Sequence, residues 1–245
     1  MVAIIVQARM GSSRLPGKVL KFIDGRPMLS YQLERLRRTT RAHGIVIATT
    51  DNPIDDDIVR FSDKERVDCF RGSENDVLSR FYGAAIKVGA DCIVRVTADC
   101  PLIEPSLVDL AVGRYLDTGK CYDYVSNMLE PTWPYGMAVE VFSIGALTEA
   151  HAEASAPAER EHVTPFIYWR PKRYRLGSMT MTPNFNHHRW TVDTGEDFEL
   201  ISRILQSLYS HNPTFTMTDV LAILRANPDW SEINADVQQR RASPT

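Results

Sequence analysis

VAIIVQARMGSSRLPGKVL, residues 2–20, is the stretch on which the fold turns. Residues 2–8 form a short apolar run without polar alternation, the pattern of a strand buried on both faces of a parallel sheet. The run empties into a Gly/Ser/Arg/Pro loop over residues 9–18. Glycines let backbone N–H groups approach an anion, and amides at a strand end form a concave nest for one. Arg14 can fork onto two phosphate oxygens, and Lys18 supplies a point charge. Two familiar phosphate loops are excluded by spacing. A Walker A loop needs four residues between its glycines and Ser or Thr after the lysine. Here five residues separate Gly11 from Gly17, and Val19 follows Lys18. The GxGxxG fingerprint is absent as well.

Working outward, helical and strand patterns alternate. Pro27 stands at a first helical position, and Met28, Tyr31, Leu33 and Leu36 give an apolar face up to about Arg38. Residues 45–49, 67–70 and 92–96 read as further buried strands. Residues 74–88 carry Val77, Leu78, Phe81, Tyr82, Ala85 and Ile86 at helical spacing, and 106–116 form another helix. Beyond Tyr122 the texture is mixed. Strands are expected at 124–127, 137–142, 174–181 and 189–192, with a helix centred on 154–157 and further helices near 200–208 and 220–224. These patterns predict an α/β chain with a three-layer, mainly parallel sheet, whose ligand sits at the carboxyl ends of the strands. One domain over 1–230 and a polar, frayed tail over 231–245 complete the expectation.

Composition narrows the function. With 44% hydrophobic and 24% charged residues the chain is an ordinary globular protein, and its net charge of −3 argues against nucleic acid as a partner. Residues 1–41 nevertheless hold nine Lys or Arg against two acids, which suits a polyanionic ligand near the N-terminus. Four scattered cysteines without CxxC spacing fit reduced thiols in a cytoplasm. No run approaches the length of a membrane span, so neither span nor signal peptide is expected.

A loop without the Walker hydroxyl must find its metal elsewhere. Asp99 follows the strand in VRVTADCP, and Asp193 follows a later strand in RWTVDTGED. Each is a lone carboxylate at the exit of an apolar run. Mg2+ takes one or two carboxylates beside phosphate oxygens, so the two could meet above the sheet; turn and helix capping is the alternative. Arg71 to Asp76 could face a base or cap the next helix. Arg160 to Pro165 could touch an acceptor or start a packed helix. His187-His188 lacks the spacing of a zinc site, and Ser12 and Ser13 have no triad partners.

IIVQARMGSSRLPGKVL followed by DGRPMLSYQLERL resembles the nucleoside-triphosphate loop of sugar-acid cytidylyltransferases, and of their SpsF-type branch in particular. ENDVLSRFY, VRVTADCPLI, YVSN, REHVTPF and RWTVDTGEDFEL extend the resemblance, in order, over roughly residues 2–205. It implies a Rossmann-like nucleotidyltransferase fold, related to the synthetases of CMP-Kdo and CMP-sialic acids, that binds CTP and Mg2+. On that resemblance Gln7, Ala8, Arg9, Gly11, Ser12, Ser13, Arg14, Lys18 and Thr97 meet the nucleotide, and Arg71 and Ser73 approach the cytosine. Asp99 and Asp193 hold the metal, with Arg14, Lys18 and Asp99 catalytic. Glu140, Arg160 and His162 face a small acceptor such as a sugar acid. A cytoplasmic homodimer, joined through a strand-bearing arm at 122–142, is implied too. Relatives read Asp-Thr-Pro-Glu-Asp where this chain has Gly195, which would loosen the placement of Asp193. Two other readings stay open: a glycosyltransferase with a related sheet, although its Asp-x-Asp motif is absent here, and a catalytically silent nucleotide-binding module.

Overall fold

The computed structural model describes residues 1–119 and 121–239. Strand β1 (Val2–Gln7) turns Val2, Ile4 and Val6 to one apolar core and Ala3 and Ile5 to another. After the loop, one 3-10 turn (Lys18–Leu20) leads into a hairpin of β2 (Phe22–Ile23) and β3 (Arg26–Pro27). Its corner, Asp24-Gly25, has φ of 47° and 75°, the successive positive values that a tight two-residue hairpin requires. Helix α1 (Met28–Leu36), β4 (Gly44–Thr50), α2 (Asp56–Glu65), β5 (Asp68–Gly72), α3 (Val77–Lys87), β6 (Cys92–Thr97) and α4 (Pro105–Leu116) follow. The second half contributes β7 (Tyr124–Ser126), β8 (Glu140–Ser143), α5 (Ile144–Glu153), α6 (Pro157–His162), α7 (Pro165–Tyr168), β9 (Leu176–Ser178), α8 (Gly195–Leu208) and α9 (Met217–Ala226).

Seven strands form one sheet in the order β5-β4-β1-β6-β8-β7-β9. Only the two pairings of β8 are antiparallel. Helices α1, α4, α8 and α9 cover one face, and α3 and α5 the other, so the expected three-layer, mainly parallel architecture is present. The chain winds outward from β1 to β5 and then crosses back to lay β6 on the other flank of β1. Strand order therefore reverses between β1 and β6, and a crevice opens at their carboxyl ends. Gln7 and Thr97 are register partners at its floor.

Several sequence expectations need correction. Residues 189–192 are not a strand. Trp190 and Val192 alternate inward as a strand would, but their amides bond to the Tyr135 and Asp99 carbonyls of two separate loops. Strand β9 covers only three residues of the expected 174–181. The helix centred on 154–157 is two helices, because Pro157 begins α6 and has no N–H to continue α5. Pro27 ends β3 and precedes α1. Residues 122–142, expected as a strand-bearing arm, carry β7 and the start of β8 within the seven-stranded sheet. Within the described part of the tail, Asn234 is buried and donates to the Arg189 carbonyl and to Asp197. Residues 240–245 of that expected tail lie outside the described residues. All four cysteines are free thiols, and no described helix is long and apolar enough to cross a membrane.

Candidate active site

The loop after β1 is held by its own backbone. The amides of Ser12 and Gly17 both donate to the Met10 carbonyl, and the Met10 amide donates to Asp55 Oδ1 at 2.7 Å. Gly17 has φ +68°, which glycine adopts without strain. Two amides of the expected anion nest are thus already spent. The amides of Gly11, Ser13 and Arg14 have no internal acceptor among the described residues. The Ser12 hydroxyl accepts from the Leu15 amide. Arg9 lies 3.7 Å from Glu74 Oε1, with nearly half its side chain exposed.

Asp99 and Asp193 do converge. The turn after β6 carries Asp99, whose carbonyl accepts from the Val192 amide at 2.8 Å, and this backbone bond ties the two carboxylate-bearing turns together. Lys18 stands between them rather than reaching outward as the sequence implied. Its Nζ donates to Asp99 Oδ2 and Asp193 Oδ1, both at 2.9 Å, and to the Val192 carbonyl at 2.7 Å. Burial works against the Lys18 charge, but Asp99 and then Asp193 outweigh it, so its pKa stands above the usual lysine value. Burial also disfavours ionised Asp193. Lys18, Arg189 and Arg14 overcome that cost and hold its pKa below the ordinary carboxylate value. Arg14 Nη2 lies 3.0 Å and Arg189 Nη2 2.8 Å from Asp193 Oδ2.

Gly195 does not loosen this arrangement. Thr194 and Asp197 form a capping box that starts α8, the Asp193 amide donates to Asp197 Oδ2, and fully buried Asp197 anchors Arg189. The hydrogen bonds that orient Asp193 are thus made by its neighbours on both sides, without proline.

A cavity of about 250 Å³ against the loop, lined by Ser12, Ser13, Arg14, Lys18, Asp99 and Asp193, adjoins one of about 510 Å³. Gln7, Arg9, Arg14 and Thr97 line both; Glu74, Asn75, Arg95, Glu161 and His162 line only the larger. Beyond it lies a chamber of about 440 Å³, with walls from Tyr124, Met128, Leu129 and Tyr168. Arg95 and His162 border both the larger cavity and the chamber. A hollow of about 610 Å³ beside Arg37, His43 and Arg66 opens at the amino ends of β4 and β5, away from the crevice where such sheets bind ligands.

Arg95 is a half-buried cation ion-paired to Glu140, which also accepts from the Tyr124 hydroxyl at 2.6 Å and from Thr164. Its Nη2 donates to Gln7, and its guanidinium lies 5.7 Å from the Phe81 ring centre. Glu140, expected to meet an acceptor, therefore lines the chamber as a carboxylate already holding three donors. His162 ends α6, and the next residue, Val163, has φ +74° and ψ −57° while the Thr164 amide donates to the His162 carbonyl. This is a γ-turn of the rare, strained hand, on a β-branched residue. Burial lowers the His162 pKa, leaving a neutral imidazole at neutral pH.

Three of the expected site residues have partners within the chain. Arg71 is spent on the loop after β4, donating to the Thr50 and Asn52 carbonyls and pairing with Asp56. The exposed Ser73 accepts from the Asp76 amide. Arg160 pairs with Asp76 and donates to the His151 carbonyl. None of the three lines a cavity of the crevice; their neighbours Glu74, Asn75, Glu161 and His162 do. Ala8 is buried, its amide bonded to the Ala48 carbonyl. Sequence reasoning missed Arg95, whose signal was a lone charge inside an apolar strand. It also missed Arg189, four residues before Asp193, and Gln239, which left no local signal. Gly136 was missed as well: a Cβ there would fall 2.5 Å from the Trp190 backbone, so only glycine lets these two segments meet.

A family profile described as cytidylyltransferase matches residues 3–220 of this chain. An uncharacterised protein of Methanocaldococcus jannaschii is 36% identical over 240 residues, 96% of this chain and 95% of that protein. The spore coat polysaccharide biosynthesis protein SpsF of Bacillus subtilis is 33% identical, covering 93% of this chain and 95% of its own. Among solved structures, a cytidylyltransferase from Leptospira borgpetersenii superposes with a TM-score of 0.90 at 31% identity, over 98% of both chains.

Proposed function

This chain belongs to the cytidylyltransferase family, and from that premise we propose that it transfers CMP from CTP to a hydroxyl of a small, sugar-acid-like acceptor, releasing pyrophosphate. The observation that carries the proposal is the meeting of Asp99 and Asp193 beside Arg14 and Lys18, at the carboxyl ends of β1 and β6. That meeting serves a triphosphate better than it serves helix capping, since Thr194 and Asp197 already cap α8.

The triphosphate lies along the loop, facing Arg9, Arg14 and the free amides of Gly11 and Ser13, and the cytosine rests against Glu74 and Asn75. Asp99 and Asp193 hold Mg2+. Two carboxylates and the Val192 carbonyl are hard oxygen donors, and two carboxylates are the protein share that Mg2+ uses beside phosphate oxygens. Among the described residues no group of three or more His, Cys, Asp or Glu side chains offers a rival site. Bound there, the ion neutralises phosphate charge and polarises the α-phosphorus. The acceptor enters from the chamber past His162. Its hydroxyl oxygen attacks the α-phosphorus in line and gives up its proton to water, the α–β bridging bond breaks, and pyrophosphate leaves toward Arg14 and Lys18. Positioning and charge neutralisation are what the protein supplies to such transfers. The similarity to SpsF supports a role in making a precursor for surface polysaccharide, and the resemblance to this branch supports a cytoplasmic homodimer.

The test is a matrix of the four nucleoside triphosphates against 2-keto sugar acids, their aminated derivatives and phosphonates, with Mg2+ present and pyrophosphate measured. Release should need CTP together with one acceptor class. Consumption of a sugar nucleotide with nucleoside diphosphate as product, or CTP binding without turnover on any acceptor, would overturn the proposal.

A further inference from the structure

The ammonium of Lys18 sits in a cradle of three oxygens, Asp99 Oδ2, Asp193 Oδ1 and the Val192 carbonyl, all within 2.9 Å of Nζ. The lysine is buried, with 8% of its surface exposed. Oxygens gathered from two turns around one point are the donor set of a hard divalent cation, which Mg2+ draws to about 2.0–2.1 Å. An ammonium at that point and a metal ion cannot share it.

Charge points the same way as space. Arg14 and Arg189 also press on Asp193, and Asp197 answers Arg189. Three cations thus face three carboxylates, and the cluster is already neutral. A bare dication would have to expel Lys18 into a cavity still lined by Arg14, leaving the site with a surplus of positive charge. A metal–triphosphate complex differs because its net charge is negative. Its phosphates give the displaced ammonium somewhere to go, and the flexible four-carbon stem of lysine allows the move.

We infer that Lys18 is the resident cation of the metal cradle in the nucleotide-free protein, and that the divalent ion enters only together with the nucleotide, as a metal–nucleoside triphosphate complex. The identity of that nucleotide rests on the function proposed above; the exclusion of bare metal does not.

Manganese(II) titrated into the nucleotide-free chain, with loss of the free-ion paramagnetic resonance signal as readout, tests this without any turnover. Wild type should take up little. Lys18→Met keeps the stem and removes the charge, and should bind manganese at least about 30-fold tighter. Adding Asp99→Asn to that variant should abolish the gain. Lys18→Gln provides a second neutral side chain if a thermal melt shows the methionine variant unfolded. Equal uptake by wild type and the neutral variants, whether strong or absent, overturns the inference. A separate arm adds CTP to wild type and reads manganese retained with the protein on ultrafiltration, because CTP alone also removes the free-ion signal; wild type should now retain manganese. If that arm fails while the Lys18→Met gain stands, the nucleotide assignment is wrong and the lysine exclusion holds.

Discussion

The crevice at β1 and β6 and the chamber beside it both contain arginine and carboxylate, yet they use them in opposite ways. In the crevice, Arg9 and Arg14 keep 45% and 30% of their side chains exposed, on a loop where the Gly11, Ser13 and Arg14 amides have no internal acceptor among the described residues. In the chamber, Arg95 and Glu140 keep 15% and 8%, on adjacent strands, and Glu140 is saturated by Arg95, Tyr124 and Thr164. Both regions pair their charges, since Arg14 and Lys18 hold Asp193 and Lys18 holds Asp99, but the crevice arginines stay more open while the chamber pair is nearly enclosed behind mostly aromatic and aliphatic walls. Charge type alone therefore does not mark a binding residue. What separates the two arginine sets is how much of each side chain stays open once it is paired.

Four substitutions break or sharpen that contrast. Asp99→Asn removes a crevice carboxylate that Lys18 holds in the ligand-free chain, and should lower pyrophosphate release by roughly 10²–10³ with an unchanged circular dichroism spectrum. Turnover near wild type would dissolve the distinction. Glu140→Ala leaves Arg95 as an unpaired cation in the interior, at a cost of about 3–5 kcal/mol in urea unfolding; a loss near zero would mean that the chamber network is not closed. Asp193→Asn stands between the two, since Asp193 is both paired and open to the cavity. It should cost about 2 kcal/mol at neutral pH. The folded-state pKa of Asp193 lies below its ordinary 3.8, so its stabilisation is present above that value and is lost as pH falls through the lower folded one. Urea unfolding of wild type and variant should therefore converge in strong acid. The smallest effect belongs to Gly195→Ala. A Cβ there meets no atom within 4 Å, so the change should stabilise α8 by about 0.4–1 kcal/mol and leave pyrophosphate release unaltered.

Much of the fold was legible because its signals are local. The apolar run of β1, the helical spacing of Val77, Leu78 and Phe81 in α3, and the punctuation by Pro105 all act within a few residues. Within the site, the loop and both aspartates were legible as charged groups at the ends of apolar runs. Arg71, Ser73 and Arg160 misled for the same reason. Each is a polar residue beside the crevice by sequence, but a single turn of backbone aims it at Asp56, the Asp76 amide or Asp76 instead. Residues 189–192 imitated a strand because burial of Trp190 and Val192 imposes alternation on any extended segment.

Local pattern was thus enough to identify an α/β sheet, a phosphate-seeking loop after its first strand, and two carboxylates suited to a metal. Which charges stay available was decided only by the folded chain. The bond from the Val192 amide to the Asp99 carbonyl, Lys18 held between both carboxylates, and Gln239 drawn back against Arg189 all join residues far apart in sequence. Such contacts follow from the order in which strands pack across the switch between β1 and β6, and no window of neighbouring residues encodes that order.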